Sequence, residues 1–219
     1  MAYSIEASSN GCYEGTTCLI NKLGIRDEAL LAQTESAYTF ARASYLELHP
    51  LVGDFDLAHY QSIHRFLFSD LYEWAGELRQ VDLSKRGTVF VPAMDIERCA
   101  NAYFLRASRI DFFALSRREA AAELADLYST LNMIHPFREG NGRVQRIFFR
   151  QWVSHLGFDI DFTDIDTDRF MVATIYAAQD IIDDLVDIFD QLLEPAQSLN
   201  ANQELNKSLA RAAAMRPKI

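Results

Sequence analysis

The stretch His135-Pro-Phe-Arg-Glu-Gly-Asn-Gly-Arg-Val-Gln-Arg146 decides how this chain of 219 residues folds. Residues 116–134 before it carry apolar side chains at the 3.6-residue period of a helix, and Ser116 and Glu119 have the spacing of a capping box. Pro136 lacks an N–H group, so it ends that helix. A second helix is predicted to follow, with its buried face made of Val144, Ile147, Phe148, Trp152 and Leu156.

Between the two predicted helices lies Gly140-Asn141-Gly142. Two glycines around an asparagine allow positive φ and let successive N–H groups point into one concavity. This concavity would lie at a helix N-terminus, where unpaired donors and the helix dipole favour an anion. Arg143 and Arg146 follow on one face of the first helical turn, and their guanidinium groups suit phosphate oxygens. The segment is therefore predicted to bind phosphate.

Two other residues of the stretch suggest chemistry. Glu139 would repel a bound phosphate unless a cation lay between them, and a carboxylate with phosphate oxygens is the usual environment of Mg²⁺. His135 is the one group here that can accept a proton near neutral pH. Packing alone explains a Gly-Asn-Gly turn, but it explains this whole combination poorly. We expect transfer from a Mg²⁺-bound nucleotide onto an acceptor whose proton His135 removes.

The complete stretch resembles the signature of the Fic family, His-x-Phe-x-(Asp/Glu)-Gly-Asn-Gly-Arg-x-x-Arg, at every defined position. Residues 72–79, Tyr-Glu-Trp-Ala-Gly-Glu-Leu-Arg, and residues 87–92 also resemble this family. The resemblance implies a mainly α Fic fold, a helical bundle with a small β-hairpin flap next to the active site. It also implies transfer of AMP from ATP to a hydroxyl side chain (Tyr, Thr or Ser) of a target protein, with release of pyrophosphate.

The same resemblance implies a role for each motif residue. His135 would deprotonate the target hydroxyl, Phe137 would anchor the loop, and Glu139 would hold Mg²⁺. The nucleotide phosphates would be bound by Gly140, Asn141, Gly142, Arg143 and Arg146. Tyr176 and Ile175 are candidates for the adenine pocket by position in the family, although a helical core would give the same residue types. The related Doc kinases carry a lysine near Gly142 that is absent here, which favours nucleotidyl transfer over phosphate transfer.

A hairpin is predicted beside the active site. Residues 78–83 and 88–91 have the composition of strands, and residues 84–87 that of a turn. In the family such a flap aligns an extended segment of the target by main-chain pairing. The residues predicted to dock the target are Lys85, Thr88, Val89 and Phe90. Phe90 as a core residue and Lys85 as a solvated one remain open alternatives.

The rest of the chain is predicted to be helical. Asp27 suits the N-cap of a helix whose buried face would be Leu30, Leu31, Thr34, Ala37, Tyr38, Ala41 and Tyr45. A second helix is predicted from Leu57 to Trp74, and its His59 and His64 are interpreted as packed or surface residues. The remaining predicted elements are a helix over residues 94–107, a loop over residues 159–162 and a helix containing Phe170, Ala173, Thr174 and Ala177.

Residues 180–194 predict an amphipathic helix with an acidic face. Its carboxylates are those of Asp180, Asp183, Asp184, Asp187, Asp190 and Glu194. Such a face is usually solvated, and a dock for a basic partner is the alternative. That partner could be the basic tail that follows, residues 198–219.

Composition limits the possible functions. The net charge of −10 argues against general nucleic-acid binding, which needs a basic surface. No apolar run has the length of a membrane span, so no membrane partner is expected. Three cysteines without metal-site spacing suit a reducing cytoplasm, with secretion as an effector left open. The predicted organisation is a loose segment at 1–15, a Fic domain at 16–194 and a C-terminal helical appendage at 195–219.

Regulation is expected from outside the chain. Fic enzymes are commonly inhibited by a helix with the pattern (Ser/Thr)-x-x-x-Glu-(Gly/Asn), whose Glu pairs with the arginine that is Arg146 here. That pattern does not occur in this sequence, so a separate small antitoxin chain is expected to supply the Glu. Autoinhibition, in a host-directed effector for example, is the rival. Transfer of UMP or phosphocholine and a catalytically silent binding module are the other functions considered.

Overall fold

The computed structural model describes residues 11–85, 87–163 and 165–195. Residues 1–10 of the predicted N-terminal segment, and the predicted appendage beyond Pro195, lie outside these ranges. The described elements are α1 (Glu28–Leu48), α2 (Leu57–Phe68), β1 (Ser84–Lys85), β2 (Thr88–Val89), α3 (Ile96–Ala107), α4 (Arg117–Ile134), α5 (Asn141–His155), β3 (Phe158–Ile160), α6 (Thr167–Ala177), α7 (Asp183–Leu192) and β4 (Leu193–Pro195). None of the helices described here is long and apolar enough to cross a membrane.

Helices α4 and α5 form the centre of the bundle. Ser116 and Glu119 make the predicted capping box at the start of α4, and that helix ends at Ile134, one residue before His135. Helix α4 packs against α3, α5 and α7, while α5 packs against α2 and β3. Phe148 of α5 lies among other aromatic rings, with its ring centroid 5.2 Å from that of Tyr60. This packing fixes the turn between α4 and α5 at one end of the core.

Helix α1 shows a different buried face from the predicted one. Its buried residues are Leu31, Glu35, Thr39 and Leu46. Leu30, Tyr38 and Tyr45 were predicted to be inside, yet they are 51%, 41% and 53% exposed. The prediction was wrong because it followed apolar residues alone, whereas the inward face of α1 carries two polar residues that hydrogen-bond near the turn.

Helix α2 ends earlier than predicted. It stops at Phe68 rather than Trp74, and the chain continues through a series of turns. These turns stack the rings of Tyr72 and Trp74 at a centroid distance of 4.3 Å. His59 and His64 of α2 are both buried, as one of the two expected alternatives. After the end of α2, the chain is therefore held by the packing of aromatic side chains rather than by a continuing helix.

The predicted hairpin is present, but its strands are displaced along the chain. Ser84 pairs with Val89 and Lys85 with Thr88, so β1 lies where a turn was predicted. Residues 78–83, predicted as a strand, have no ladder partner within the described residues. The Arg79 N–H donates to the Pro136 carbonyl of the turn, the Val81 carbonyl accepts from the Arg79 side chain, and the Leu83 carbonyl accepts the Phe90 N–H next to the hairpin.

A second small sheet was not predicted. Phe158–Ile160 pairs antiparallel with Leu193–Pro195, where residues 159–162 were expected to be only a loop. This pairing joins segments far apart in sequence, and local patterns do not reveal such contacts. Helix α7 is acidic as predicted, and its carboxylates pair with arginines of this chain. The ion pairs are Arg118 with Asp187 at 2.7 Å, Arg169 with Asp184 at 2.6 Å and Arg117 with Asp190 at 3.3 Å.

Candidate active site

His135 is the C-cap residue of α4 and has a left-handed backbone conformation, with φ 46° and ψ 59°. Its ring is buried and stacks on Phe90 of the flap, with a centroid distance of 3.8 Å and an interplanar angle of 11°. Its Nδ1 lies 3.2 Å from the Asn132 carbonyl oxygen. Because that oxygen only accepts, the contact favours the tautomer protonated at Nδ1, with the lone pair on Nε2.

The surroundings keep His135 neutral. The pKa of His135 is lowered to about 3, mainly by burial and to a smaller extent by the positive charges of Lys85 and Arg79. The hydrogen bond to the Asn132 carbonyl acts in the opposite direction. A neutral imidazole is the form that can accept a proton, so His135 is in the correct state for a general base at neutral pH.

Arg79 connects His135 to the flap. Its Nε donates to the carbonyl oxygen of His135 at 2.8 Å, and its Nη1 donates to that of Val81 at 2.6 Å. Its Nη2 donates to the carbonyl oxygen of Val91. The Arg79 backbone N–H also donates to the Pro136 carbonyl at 2.9 Å. The turn and both ends of the hairpin are therefore held by one buried guanidinium.

His64 supports the other end of the turn. Its Nδ1 accepts the backbone N–H of Gly76 at 2.8 Å, so Nε2 carries the proton and donates to the Glu139 carbonyl oxygen at 3.1 Å. Its ring stacks on Phe137 with a centroid distance of 3.9 Å. Burial lowers the pKa of His64 to about 3 as well. No local sequence pattern indicates this role, because the partners are backbone atoms far from His64 in sequence.

Gly140 and Gly142 have different structural roles. Gly140 has φ 83°, and a Cβ there would lie 2.2 Å from Cζ of Phe68. Gly142 lacks the positive φ that was predicted for it, because it belongs to the first turn of α5. A Cβ at Gly142 would approach Nη1 of Arg146 to 3.4 Å. Gly140 is therefore needed for packing, whereas a Cβ at Gly142 would meet only the end of the Arg146 side chain.

Asn141 closes the turn with its side chain. Its Oδ1 accepts the backbone N–H of Phe137 at 2.8 Å, and its Nδ2 donates to the Phe137 carbonyl oxygen at 2.7 Å. The Asn141 side chain thereby holds the turn in shape. Together with Gly140 and His64, it presents the N-terminus of α5 towards the adjoining cavity.

The two motif arginines are placed differently. Arg143 pairs with Glu35 of α1, with Nη2 2.5 Å from Oε1. The same Nη2 lies 3.3 Å from Oε1 of Glu139. Arg146 forms no ion pair with any residue between 11 and 195 that the structure describes. Arg143 is therefore held by protein carboxylates, and Arg146 has its charge available to a ligand.

A cavity of about 460 Å³ adjoins the turn. It is lined by the predicted site residues His135, Glu139, Asn141, Gly142, Arg146, Lys85, Thr88 and Phe90, and also by Ile175. Gly140, Arg143, Val89 and Tyr176 are not among its lining residues. Tyr176 is 49% exposed elsewhere on α6, so Ile175 is the better placed of the two adenine-pocket candidates. Val89 is 72% exposed on the flap.

The residues present suit a magnesium ion held jointly with a nucleotide. No group of three or more potential protein ligands occurs among the described residues. Mg²⁺ in nucleotide sites often takes only one or two carboxylates in addition to phosphate oxygens and waters. Oε1 of Glu139 accepts the Gly140 N–H at 2.8 Å, and Glu139 lines the cavity, so its carboxylate meets this requirement.

Comparison with known proteins defines the class. The family model described as Fic/DOC family matches residues 54–153. The probable protein adenylyltransferase Fic of Escherichia coli is 34% identical over 185 residues, covering 84% of this chain and 92% of that protein. The protein adenylyltransferase VbhT of Bartonella schoenbuchensis is 35% identical over 175 residues, or 78% of this chain and 37% of VbhT. The chain therefore belongs to the Fic/DOC family.

Solved structures confirm the predicted Fic fold. The Bartonella quintana Fic domain of a VirB-translocated Bep effector with bound ADP has a TM-score of 0.83 and 30% identity, and the match covers 89% of this chain and 99% of that one. BepC from Bartonella tribocorum with bound AMPPNP has a TM-score of 0.80 and 28% identity, covering 87% and 99%. The mainly helical bundle and the small flap were thus predicted correctly from the motif.

Proposed function

We propose that this protein is a Mg²⁺-dependent protein adenylyltransferase, which transfers AMP from ATP to a hydroxyl side chain of a target protein. The observation that carries the proposal is the 460 Å³ cavity, whose wall contains a neutral histidine, a carboxylate, an arginine and a helix N-terminus. The names of the relatives and the nucleotides bound to the two solved Fic structures support the same reaction.

The phosphates of ATP bind at the N-terminus of α5. Its first N–H groups and the positive end of the helix dipole attract the anion, and Gly142 allows the phosphates to approach the backbone. Arg146 neutralises the charge of the leaving pyrophosphate. Arg143 also attracts the phosphates, from its position between Glu35 and Glu139. Glu139 holds Mg²⁺, which neutralises charge on the phosphates. The adenine lies against α6, where Ile175 lines the cavity and Tyr176 is the more peripheral candidate.

His135 carries out the proton transfer. Its Nε2 removes the proton of the target hydroxyl as the hydroxyl oxygen forms a bond to the α-phosphorus. The bond from that phosphorus to the oxygen bridging to the β-phosphate breaks, and pyrophosphate leaves with the electron pair. Stacking on Phe90 and the bond to Asn132 hold the ring in one orientation, so little reorganisation is needed.

The flap holds the target. An extended segment of the target pairs with the main chain of the hairpin, where Val89 is exposed and Thr88 is half-buried. Lys85 and Phe90 lie at the cavity, so they contact the segment nearest the modified residue. Phe90 combines the two expected roles, since it is buried against His135 and also lines the cavity.

A separate antitoxin chain inhibits the enzyme by supplying a Glu to Arg146. The support for this is that Arg146 has no carboxylate partner within the described residues, whereas Arg143 has two. The chain acts as the toxin of such a pair in the cytoplasm. The alternative is inhibition by a glutamate from the residues of this chain that lie beyond 195. AMP transfer by the isolated full-length chain would argue against this alternative.

The decisive experiment uses α-³²P-labelled ATP with Mg²⁺ and a cell lysate. Label on a discrete protein band that disappears with His135→Ala supports AMP transfer. Label from γ-³²P-ATP instead would indicate phosphate transfer, and label from UTP alone would indicate another nucleotide. No label with any of these would favour phosphocholine transfer or a silent binding module, and mass spectrometry of the modified band identifies the attached group.

A further inference from the structure

The residue of interest is Glu35, which lies on α1, outside the motif. It is a buried carboxylate, 7% exposed, on a helix whose other inward residues are Leu31, Thr39 and Leu46. Burying a charged group without partners is costly, so its contacts indicate what it does. Its Oε2 accepts the hydroxyl of Tyr72, and its Oε1 pairs with Arg143.

Arg143 has two carboxylates within reach. Its Nη2 is 2.5 Å from Oε1 of Glu35 and 3.3 Å from Oε1 of Glu139. Its Nη1 also donates to the Thr39 hydroxyl at 3.2 Å, and the guanidinium carbon lies 4.9 Å from the centroid of the Phe68 ring. Three contacts on the side of α1 and α2 therefore hold the guanidinium, and the contact with Glu139 is the longer of the two ion pairs.

We propose that Glu35 is a positioning residue that keeps Arg143 from neutralising Glu139, so that the Glu139 carboxylate remains available to Mg²⁺. This inference rests on the proposed function, in which Glu139 holds the metal. Without the charge of Glu35, Arg143 has Glu139 as its one remaining carboxylate among the described residues. Arg143 then competes with the metal for Glu139, because both are cations attracted to the same group.

The test measures Mg²⁺ dependence in Glu35→Gln, which keeps the size of the side chain and removes its charge. AMPPNP binding is measured by calorimetry at increasing Mg²⁺ concentrations, and AMP transfer is assayed in parallel. We expect the half-saturating Mg²⁺ concentration to rise about fivefold in both assays, the size of one partly exposed ion pair. Activity at saturating Mg²⁺ should recover towards that of wild type.

Glu47→Gln is the matched control. Glu47 also lies on α1 and pairs with an arginine of α5, Arg150, at 2.7 Å, but at a more exposed position. It should leave the Mg²⁺ dependence unchanged. Tyr72→Phe removes one hydrogen bond to Glu35 and keeps its charge, so it should shift the dependence in the same direction by less. It also replaces Glu35→Gln as the test if melting temperatures show that Glu35→Gln does not fold.

The outcomes separate this inference from the proposed metal site. If Glu35→Gln and Tyr72→Phe have wild-type Mg²⁺ dependence while Glu139→Ala abolishes it, the inference about Glu35 is wrong and the metal site stands. If Glu139→Ala leaves the Mg²⁺ dependence unchanged, the metal site itself is wrong. Equal weakening of AMPPNP binding by Glu35→Gln with and without Mg²⁺ would also overturn the inference, because Glu35 would then act on the phosphates.

Discussion

The two ends of the turn between α4 and α5 each contain a buried histidine, and the proposed function gives one a structural role and the other a catalytic one. His64 and His135 are both buried, and burial lowers the pKa of each to about 3. The two nitrogens of His64 are used by the backbone of Gly76 and Glu139, and it does not line the cavity. His135 has its Nδ1 bonded to Asn132 and lines the cavity. Neither burial nor pKa therefore distinguishes the proposed base from the structural histidine, whereas access to the cavity does.

The largest expected effect is loss of catalysis at the reactive end. His135→Ala should lower kcat for AMP transfer about 10³-fold, the usual contribution of a general base. AMPPNP affinity should stay within about threefold of wild type, since His135 acts on the target hydroxyl. Radiolabelling and calorimetry measure the two quantities. An equal loss of binding and rate would mean that His135 shapes the pocket instead.

The corresponding change at the structural end should affect folding. His64→Ala removes two backbone hydrogen bonds and the ring that packs on Phe137, so the free energy of unfolding should fall by about 3 kcal/mol. Urea denaturation measures this loss. His135→Ala should cost clearly less stability than His64→Ala. The reverse order would show that the two histidines have been assigned the wrong roles.

Gly140 and Gly142 also differ in role, since the first is needed for packing and the second is proposed to contact the phosphates. Gly140→Ala should lower the free energy of unfolding by about 2 kcal/mol, because its Cβ would meet Phe68 and its φ is positive. Gly142→Ala should leave stability within about 1 kcal/mol, since Gly142 lies in a helical turn and its Cβ would meet only the end of the flexible Arg146 side chain. It should weaken AMPPNP binding about tenfold, as if one hydrogen bond were lost. Similar stabilities for the two variants would contradict this assignment.

The two histidines also give an expected pH dependence of stability. Both histidines have a folded pKa of about 3, below the usual 6.5, so the unfolded chain binds protons first as the pH falls. Stability should therefore be lost between pH 6.5 and pH 3, by about 1.4 kcal/mol per pH unit for each histidine. His135→Ala should remove the contribution of one histidine from the pH dependence of the free energy of unfolding, so the plot of stability against pH becomes less steep. Parallel curves for wild type and variant would show that the pKa of His135 is the same in the folded and the unfolded protein.

The turn could be predicted from sequence because its determinants are local. Ser116 and Glu119 cap α4, Pro136 follows its end, and Gly140 precedes α5, all within one short segment. The hairpin was also expected, although its strands lie nearer to Gly87 than predicted. Local rules were sufficient wherever the partners were neighbours in sequence.

The missed features depend on long-range contacts. Glu35 was placed outside the predicted face of α1 because hydrophobic periodicity ignores polar residues, yet it meets Arg143 across 108 positions of sequence. His64 reaches Glu139 over 75 positions, and strand β3 pairs with residues after α7. The charge of Arg143 indicates that a carboxylate partner is to be expected. The sequence does not show that the partner is Glu35, because the inward face of α1 depends on how the helices pack.

Arg79 has a practical consequence for redirecting the enzyme. Its guanidinium donates hydrogen bonds to the carbonyl oxygens of Val81, Val91 and His135. Every amino acid has a backbone carbonyl oxygen, whatever its side chain. Since we propose that the hairpin docks the target, its outward residues are those to exchange for recognition of a new protein, while the His135 imidazole keeps its place. Engineering of target choice in this scaffold can begin with the exposed Val89 and leave Arg79 untouched.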